Sequence, residues 1–196
     1  MTELGNGLHD AKHHEDELSV RGAELSMKQR LDVSEYSILI AQGNLASTYK
    51  ELGRHEFLSL RQEVYSGAVK IFGEEHKETL FEAFNYANDF FYLRRLEEAR
   101  SLLRKTIPKA RHVLGESNEL TLKMRLIYAQ TLYGDEDATL SDLREAVETL
   151  EELAQIARRV LGGAHPITVG VETCLRRARA ALRARETPPP PPKNAA

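Results

Sequence analysis

The histidines, the single cysteine and the carboxylates are the residues of this sequence most capable of catalysis or metal binding. His9 and His13 are spaced by one helical turn and, together with His14, could bind a transition metal. No cysteine lies near them, so a solvated terminus is the simpler interpretation. The sequence contains no recognisable nucleophile motif, no paired catalytic carboxylates and no glycine-rich phosphate loop. It therefore predicts a protein that is not an enzyme, and it implies no metal and no cofactor.

Composition narrows the class of partner. The chain has 196 residues with a formal net charge of -3, whereas a nucleic-acid-binding surface needs an excess of Lys and Arg. No apolar run is long enough to cross a membrane, and the amino terminus lacks the basic start and apolar run of a signal peptide. Cys174 has no second cysteine with which to form a disulfide. We therefore expect a cytoplasmic protein whose partners are neither nucleic acids nor membranes.

A repeat organises the chain. Three similar segments begin at Ile71, Val113 and Val160; each has a glycine two residues later and a threonine six residues after that glycine. The glycines stand at 73, 115 and 162, so the period is 42 residues and then 47. The stretch 44–46 resembles the stretch 85–87, which places a further unit upstream.

Each unit is predicted to contain two helices. Apolar residues recur every three or four positions after the threonine, which predicts an amphipathic helix A. A second periodic stretch from about Glu97 to Leu114 predicts helix B, and Gly115 is well placed as its left-handed cap. His76 and His165 lie in the connecting loops, where packing is a more plausible role than catalysis. Small residues recur where paired helices must approach closely. These recurring alanines are Ala68, Ala110, Ala157, Ala99, Ala146, Ala87 and Ala129.

The repeat is similar to the long tetratricopeptide repeat (TPR) of kinesin light chains. The family motif contains L-G-x-x-H-x-x-T-L, followed by N-L-A and later by E-E-A. The matching residues are Leu114-Gly115 with Thr121-Leu122, Leu161-Gly162 with His165-Pro166 and Thr168, Asn44-Leu45-Ala46, and Glu97-Glu98-Ala99. The resemblance covers about residues 30–180. It implies an all-α fold, a right-handed α-solenoid of antiparallel helix pairs known as a TPR superhelix.

The repeat register also predicts the organisation of the chain. Arg176 and Arg179 stand where a following helix would cover a small or apolar residue, so the last helix is predicted to cap the array. The third repeat contains about five extra residues, which are placed between its two helices. The predicted segments are a flexible amino terminus 1–17, a TPR array 18–186 (half repeat 18–34, repeats 36–73, 78–115 and 120–162, cap 167–186), and a disordered proline-rich tail 187–196.

The resemblance implies a scaffold or adaptor that binds a partner peptide or protein segment. In this family the A helices line a concave groove, where amides hold the ligand backbone and aromatic rings accept its apolar anchors. Some of these rings could instead pack on neighbouring helices. The side chains at the groove positions are Phe81, Phe84, Asn85, Asn88, Phe91, Tyr92, Lys123 and Gln130.

An alternative is an accessory domain that acts through its carboxyl-terminal residues. The last helix contains five arginines between Arg176 and Arg185, which could contact RNA or an anionic membrane. A solvated capping helix explains the same arginines. The five prolines from Pro188 to Pro192 could dock in an SH3 or profilin-like groove, or could be a plain linker.

Overall fold

The computed structural model describes residues 14–31 and 33–187, and all regular elements in these ranges are α-helices. The predicted all-α class is therefore confirmed. The two histidines His9 and His13 and the prolines Pro188–Pro192 lie outside the described residues. The helices are α1 His14–Arg30, α2 Glu35–Glu51, α3 Phe57–Phe72, α4 Lys77–Tyr92, α5 Leu96–Leu114, α6 Glu119–Tyr133, α7 Leu140–Leu161 and α8 Pro166–Glu186.

The chain divides into two compact units, one up to Asp89 and one from Phe90 onward. In the first unit α1 packs on α2, and α2 packs on α3. In the second unit α5, α6, α7 and α8 pack in succession, and α6 also contacts α8. The contact between α6 and α8 in the second unit is the one expected when helix pairs stack.

The recurring threonine joins two of the A helices, α4 and α6, to the helices that precede them. Thr79 and Thr121 are each the third residue of a helix, and both are buried. The Thr79 hydroxyl donates to the carbonyl oxygen of Ala68 at 3.2 Å, and the Thr121 hydroxyl donates to that of Ala110 at 3.4 Å. Thr168 holds the same position in α8, but its buried hydroxyl has no hydrogen-bond partner among the described residues. The hydrogen bond from the recurring threonine to the recurring alanine is therefore present in two of the three repeats.

This difference predicts that the substitution of threonine by valine destabilises the chain at position 121 but not at position 168. Thr121→Val is expected to lower the free energy of unfolding by about 1 kcal/mol, because it removes a buried hydrogen bond. Thr168→Val is expected to be neutral or stabilising, because it removes a buried hydroxyl that has no partner. Urea denaturation followed by circular dichroism measures both values. Equal losses at the two positions would contradict the assignment of the bond.

Glycine ends three of the helices, as predicted for Gly115. The φ angles of Gly73, Gly115 and Gly162 are 83°, 91° and 87°, and their ψ angles lie between 160° and 168°. This combination is reserved for glycine, because a Cβ atom would clash there. The N–H of Gly115 donates to the carbonyl oxygen of Arg111, which completes the last turn of α5.

The histidines of the repeat loops cap the amino-terminal ends of two A helices. The Nδ1 atom of His165 accepts a hydrogen bond from the N–H of Ile167 at 3.3 Å, and His76 accepts one from Glu78 at the same distance. Asn118 plays this part for α6, since its side chain accepts from the N–H of Leu120 at 2.9 Å. These side chains satisfy amide groups that the first turn of a helix leaves unpaired.

The recurring alanines are buried, as their proposed role in close helix packing requires. Ala87, Ala99, Ala110, Ala129, Ala146 and Ala157 are fully inaccessible, and Ala68 is nearly so. The extra residues of the third repeat are shared between loop and helix. The connection from α6 to α7 has six residues, whereas that from α4 to α5 has three, and α7 has 22 residues against 19 in α5. Thr139 begins the longer helix through a reciprocal cap with Asp142.

The first helix packs through charged residues. Two of its apolar residues, Ala23 and Met27, are exposed. The buried stripe is instead Glu17, Arg21 and Glu24. The Arg21 guanidinium lies 3.1 Å from the Glu17 carboxylate within the same helix. Such pairs allow charged side chains to be buried, because each neutralises the other.

Candidate functional site

A pocket of about 290 Å³ lies in the first unit, between α2 and α4, with α3 as its floor. The two walls are the A helices of successive repeats. Consequently the repeat register places equivalent residues on opposite sides. Ile40 and Asn44 of α2 correspond to Phe81 and Asn85 of α4, and all four line the pocket.

The wall formed by α4 combines aromatic, amide and acidic groups. Glu78, Phe81, Glu82 and Asn85 follow one another at three- and four-residue spacing, which puts them on one face of the helix. Phe81 is 46% exposed, so its ring is available at the surface. The Asn85 amide donates to the Glu82 carboxylate at 3.2 Å. Two of the predicted binding residues, Phe81 and Asn85, are thus brought together here.

The floor of the pocket contains a buried arginine. The Nε atom of Arg61 donates to Asp89 at 2.9 Å, and a second nitrogen donates to the Ser47 hydroxyl at 3.2 Å. A third nitrogen lies 3.5 Å from the Glu82 carboxylate. Asp89 also accepts from the ammonium of Lys50 at 2.9 Å. Because Arg61 and Asp89 are only 5% and 2% exposed, this ion pair is shielded from water.

Sequence reasoning missed this network, although the repeat register contained a signal. Arg61 stands twelve residues before Gly73, and the same position is Leu103 in the next repeat and Leu150 in the one after. Both leucines are fully buried. An arginine at a position that the other repeats fill with buried leucine indicates a buried charge that needs a partner.

The Glu82 carboxyl has an altered acidity. Burial raises the pKa of Glu82, while the hydrogen bond from Asn85 and the positive charge of Arg61 oppose that rise. Tyr36, across the pocket, has a raised pKa because of burial and a hydrogen bond with Glu78. Burial therefore outweighs the stabilisation that Asn85 and Arg61 give to the ionised form of Glu82.

Two other predicted residues of α4, Phe84 and Asn88, are half-buried and do not line the pocket. Phe91 and Tyr92 belong to the second unit, where Tyr92 is 57% exposed and Phe91 is half-buried.

The predicted residues of α6 also have partners in the second unit. The ammonium of Lys123 lies 2.6 Å from the Glu119 carboxylate. The Gln130 amide donates to the sulfur of Cys174 at 3.2 Å, which ties α6 to α8. Burial and a hydrogen bond with the same sulfur raise the pKa of Tyr133. Gln130 therefore contributes to packing between helices.

The arginines of α8 are exposed, and several have partners within the second unit. Arg179 donates to Glu151 of α7 at 2.7 Å, and Arg185 donates to the carbonyl oxygen of Glu136 at 3.2 Å. Glu172 of α8 itself pairs with Arg158 of α7. Arg176 donates to the Thr173 hydroxyl at 3.0 Å. Three of the five arginines of this helix thus contact neighbouring groups, and one of the three, Arg179, pairs with a carboxylate.

Within residues 14–31 and 33–187, no group of three or more His, Cys, Asp or Glu side chains is placed to hold a metal ion. None of the described helices is both long enough and apolar enough to cross a membrane.

Comparison with known proteins identifies the repeat and the fold. Residues 85–118 match the family model of a tetratricopeptide repeat. No curated protein sequence matches the chain.

Solved structures are similar in fold. Two crystal structures show the nearly identical TPR-like repeats of a kinesin light chain from Podosopora anserina, and one of them carries a point substitution. Their TM-scores are 0.78 and 0.77. Each is 21% identical and covers 94% of this chain, which in turn covers 85% and 86% of those chains. BtubC (BKLC) from P. vanneervenii has a TM-score of 0.63 at 16% identity, with coverages of 98% and 82%.

Proposed function

Because this chain is a tetratricopeptide repeat protein with the fold of kinesin light chain-like proteins, we propose that it is a non-enzymatic scaffold or adaptor that binds a segment of another protein. TPR proteins generally mediate protein–protein interactions. The binding site is the pocket between α2 and α4. One observation supports this proposal above all. Ile40 and Asn44 of α2 line the same pocket as Phe81 and Asn85, the residues of α4 that occupy the equivalent positions of the repeat.

The chemistry of these pairs suits an extended peptide. Ile40 and Phe81 are 43% and 46% exposed, so their apolar surfaces can bury a side chain of the ligand. The amides of Asn44 and Asn85 offer both donors and acceptors, which a peptide backbone requires. The free, buried Cys174 fits the expected cytoplasmic location, which stays a prediction.

The alternative site in α8 and the proline-rich tail has less support. Arg179 and Arg185 already have partners in the second unit, so a polyanion would have to displace these contacts. Reversing the charges of Arg183 and Arg185 separates the two proposals, because it leaves the pocket unchanged.

Selection from a displayed library of seven-residue peptides tests the proposed site. The variant with Phe81→Ala and Asn85→Ala is expected to bind the selected peptides about 30-fold more weakly than the wild type, as for the loss of a central anchor worth about 2 kcal/mol. Fluorescence anisotropy measures the affinities, and far-ultraviolet circular dichroism checks that the helices remain.

The control variant carries Gln62→Ala and Met27→Ala. Both side chains are exposed in the first unit and lie outside the pocket, so peptide affinity should not change. Unchanged affinity in the Phe81 and Asn85 variant would remove the pocket as the binding site.

A further inference from the structure

We infer that the pocket between α2 and α4 selects a peptide in which an apolar side chain lies next to Lys or Arg. This inference rests on the proposed function, since it specifies the ligand of the same pocket. The inference compares two kinds of charged group in the pocket: those that a ligand can reach, and those that are already paired with other groups of the protein.

The positive charge of the pocket is not available. Arg61 is the only cationic side chain among the described residues that line it, and that side chain is only 7% exposed. Its nitrogens contact Asp89, Ser47 and Glu82, at 2.9, 3.2 and 3.5 Å. An acidic ligand would have to break this buried network before it could pair with the guanidinium. Such a break leaves Asp89 buried with less compensation, which is unfavourable.

The negative charge of the pocket is more accessible. The side chains of Glu78 and Glu82 are 32% and 20% exposed, and both line the α4 wall one helical turn apart. Like charges at this spacing repel each other. The ammonium of Lys77 is 3.7 Å from Glu78, but Lys77 is 70% exposed and does not line the pocket. Two carboxylates against one engaged guanidinium leave the pocket with an excess of negative charge.

A ligand cation would improve the environment of both carboxylates. Burial raises the pKa of Glu82, so a positive charge nearby would favour its ionised form. A Lys or Arg at this place could also lie against the exposed ring of Phe81. The apolar neighbour of that residue would contact Ile40 on the opposite wall.

Sequencing the seven-residue peptides selected by the wild-type chain tests the inference. We expect Lys or Arg beside an apolar residue to be enriched about fivefold over Asp or Glu, which corresponds to about 1 kcal/mol at 25 °C. The variant with Glu78→Gln and Glu82→Gln should still select apolar residues but should lose the preference for Lys and Arg. Glutamine keeps the size of the replaced side chains and one of their two acceptor oxygens, and circular dichroism checks the fold. Glu78→Gln alone, at the more exposed position, should reduce the preference in part.

The matched control carries Glu63→Gln and Glu75→Gln. These side chains are exposed in the same unit and lie outside the pocket, so the net charge changes equally while the preference for Lys and Arg should remain. Loss of the preference in the control would assign it to net charge and overturn the inference. Selection of apolar peptides with Asp, Glu or neutral neighbours would also overturn it while sustaining the proposed function. If no peptide is enriched, both the proposed function and this inference fail.

Discussion

Replacing Asp89 with alanine is expected to lower the free energy of unfolding by about 3–5 kcal/mol. The substitution leaves Arg61 buried without its closest counter-ion, since the two groups are 2.9 Å apart and nearly inaccessible to water. It also deprives Lys50 of its contact with the Asp89 carboxylate. Urea denaturation followed by circular dichroism measures the loss.

The repeat itself supplies a second variant that restores stability. The positions of Arg61 and Asp89 are occupied by Leu103 and Thr131 in the next repeat. The double substitution Arg61→Leu with Asp89→Thr should therefore recover most of the loss, because well-packed apolar residues often replace a buried ion pair without cost. Glu75→Ala, at an exposed position, should change stability by less than about 0.5 kcal/mol. A single Asp89→Ala variant as stable as this control would show that the pair contributes little.

Leu150→Ala is expected to have a comparable effect in the second unit, about 3–5 kcal/mol. Leu150 is fully buried in a core that includes Leu122, Leu153 and Val171. The loss combines the transfer of the removed methyl and methylene groups with the cavity that they leave. Thermal and urea denaturation of the wild type and the variant provide the comparison.

Leu140→Ala is the matched control, because Leu140 lies in the same helix but is 37% exposed. Its truncation should cost less than about 1 kcal/mol, since it leaves no closed cavity. Similar losses at the two leucines would mean that the core around Leu150 rearranges to fill the space.

The binding residues were only partly predictable from the sequence. The helical period places Phe81 and Asn85 on one face of α4, and both line the pocket. The same period groups Phe84 and Asn88 with them, yet these two do not line it. Neighbouring helices cover only part of one helix face, so residues that share the face can have different surroundings. The helical period does not show which of these residues remain at the pocket.

The first helix shows the corresponding limit for packing. Its buried stripe contains the charged residues Glu17, Arg21 and Glu24, whereas its apolar residues Ala23 and Met27 are exposed. Charged side chains are rarely fully buried unless they are paired, so a pair along the helix permits the burial of a charged face. Here Glu17 and Arg21 pair along the helix, and periodicity does not reveal which side then faces α2.

The sequence by itself determined the helices, their glycine ends and the threonine at the third position of each later A helix. These features depend on interactions between residues that are close along the chain, and such interactions recur with the repeat. The tertiary structure alone decided which side chains line the pocket and which of its charged groups pair with each other. Arg61 meets Asp89 across 28 positions of sequence, and that pair is absent from the equivalent places in later repeats. A pair that occurs in only one repeat produces no periodic pattern in the sequence. The pairing of these two side chains is seen only when the packed helices bring them together.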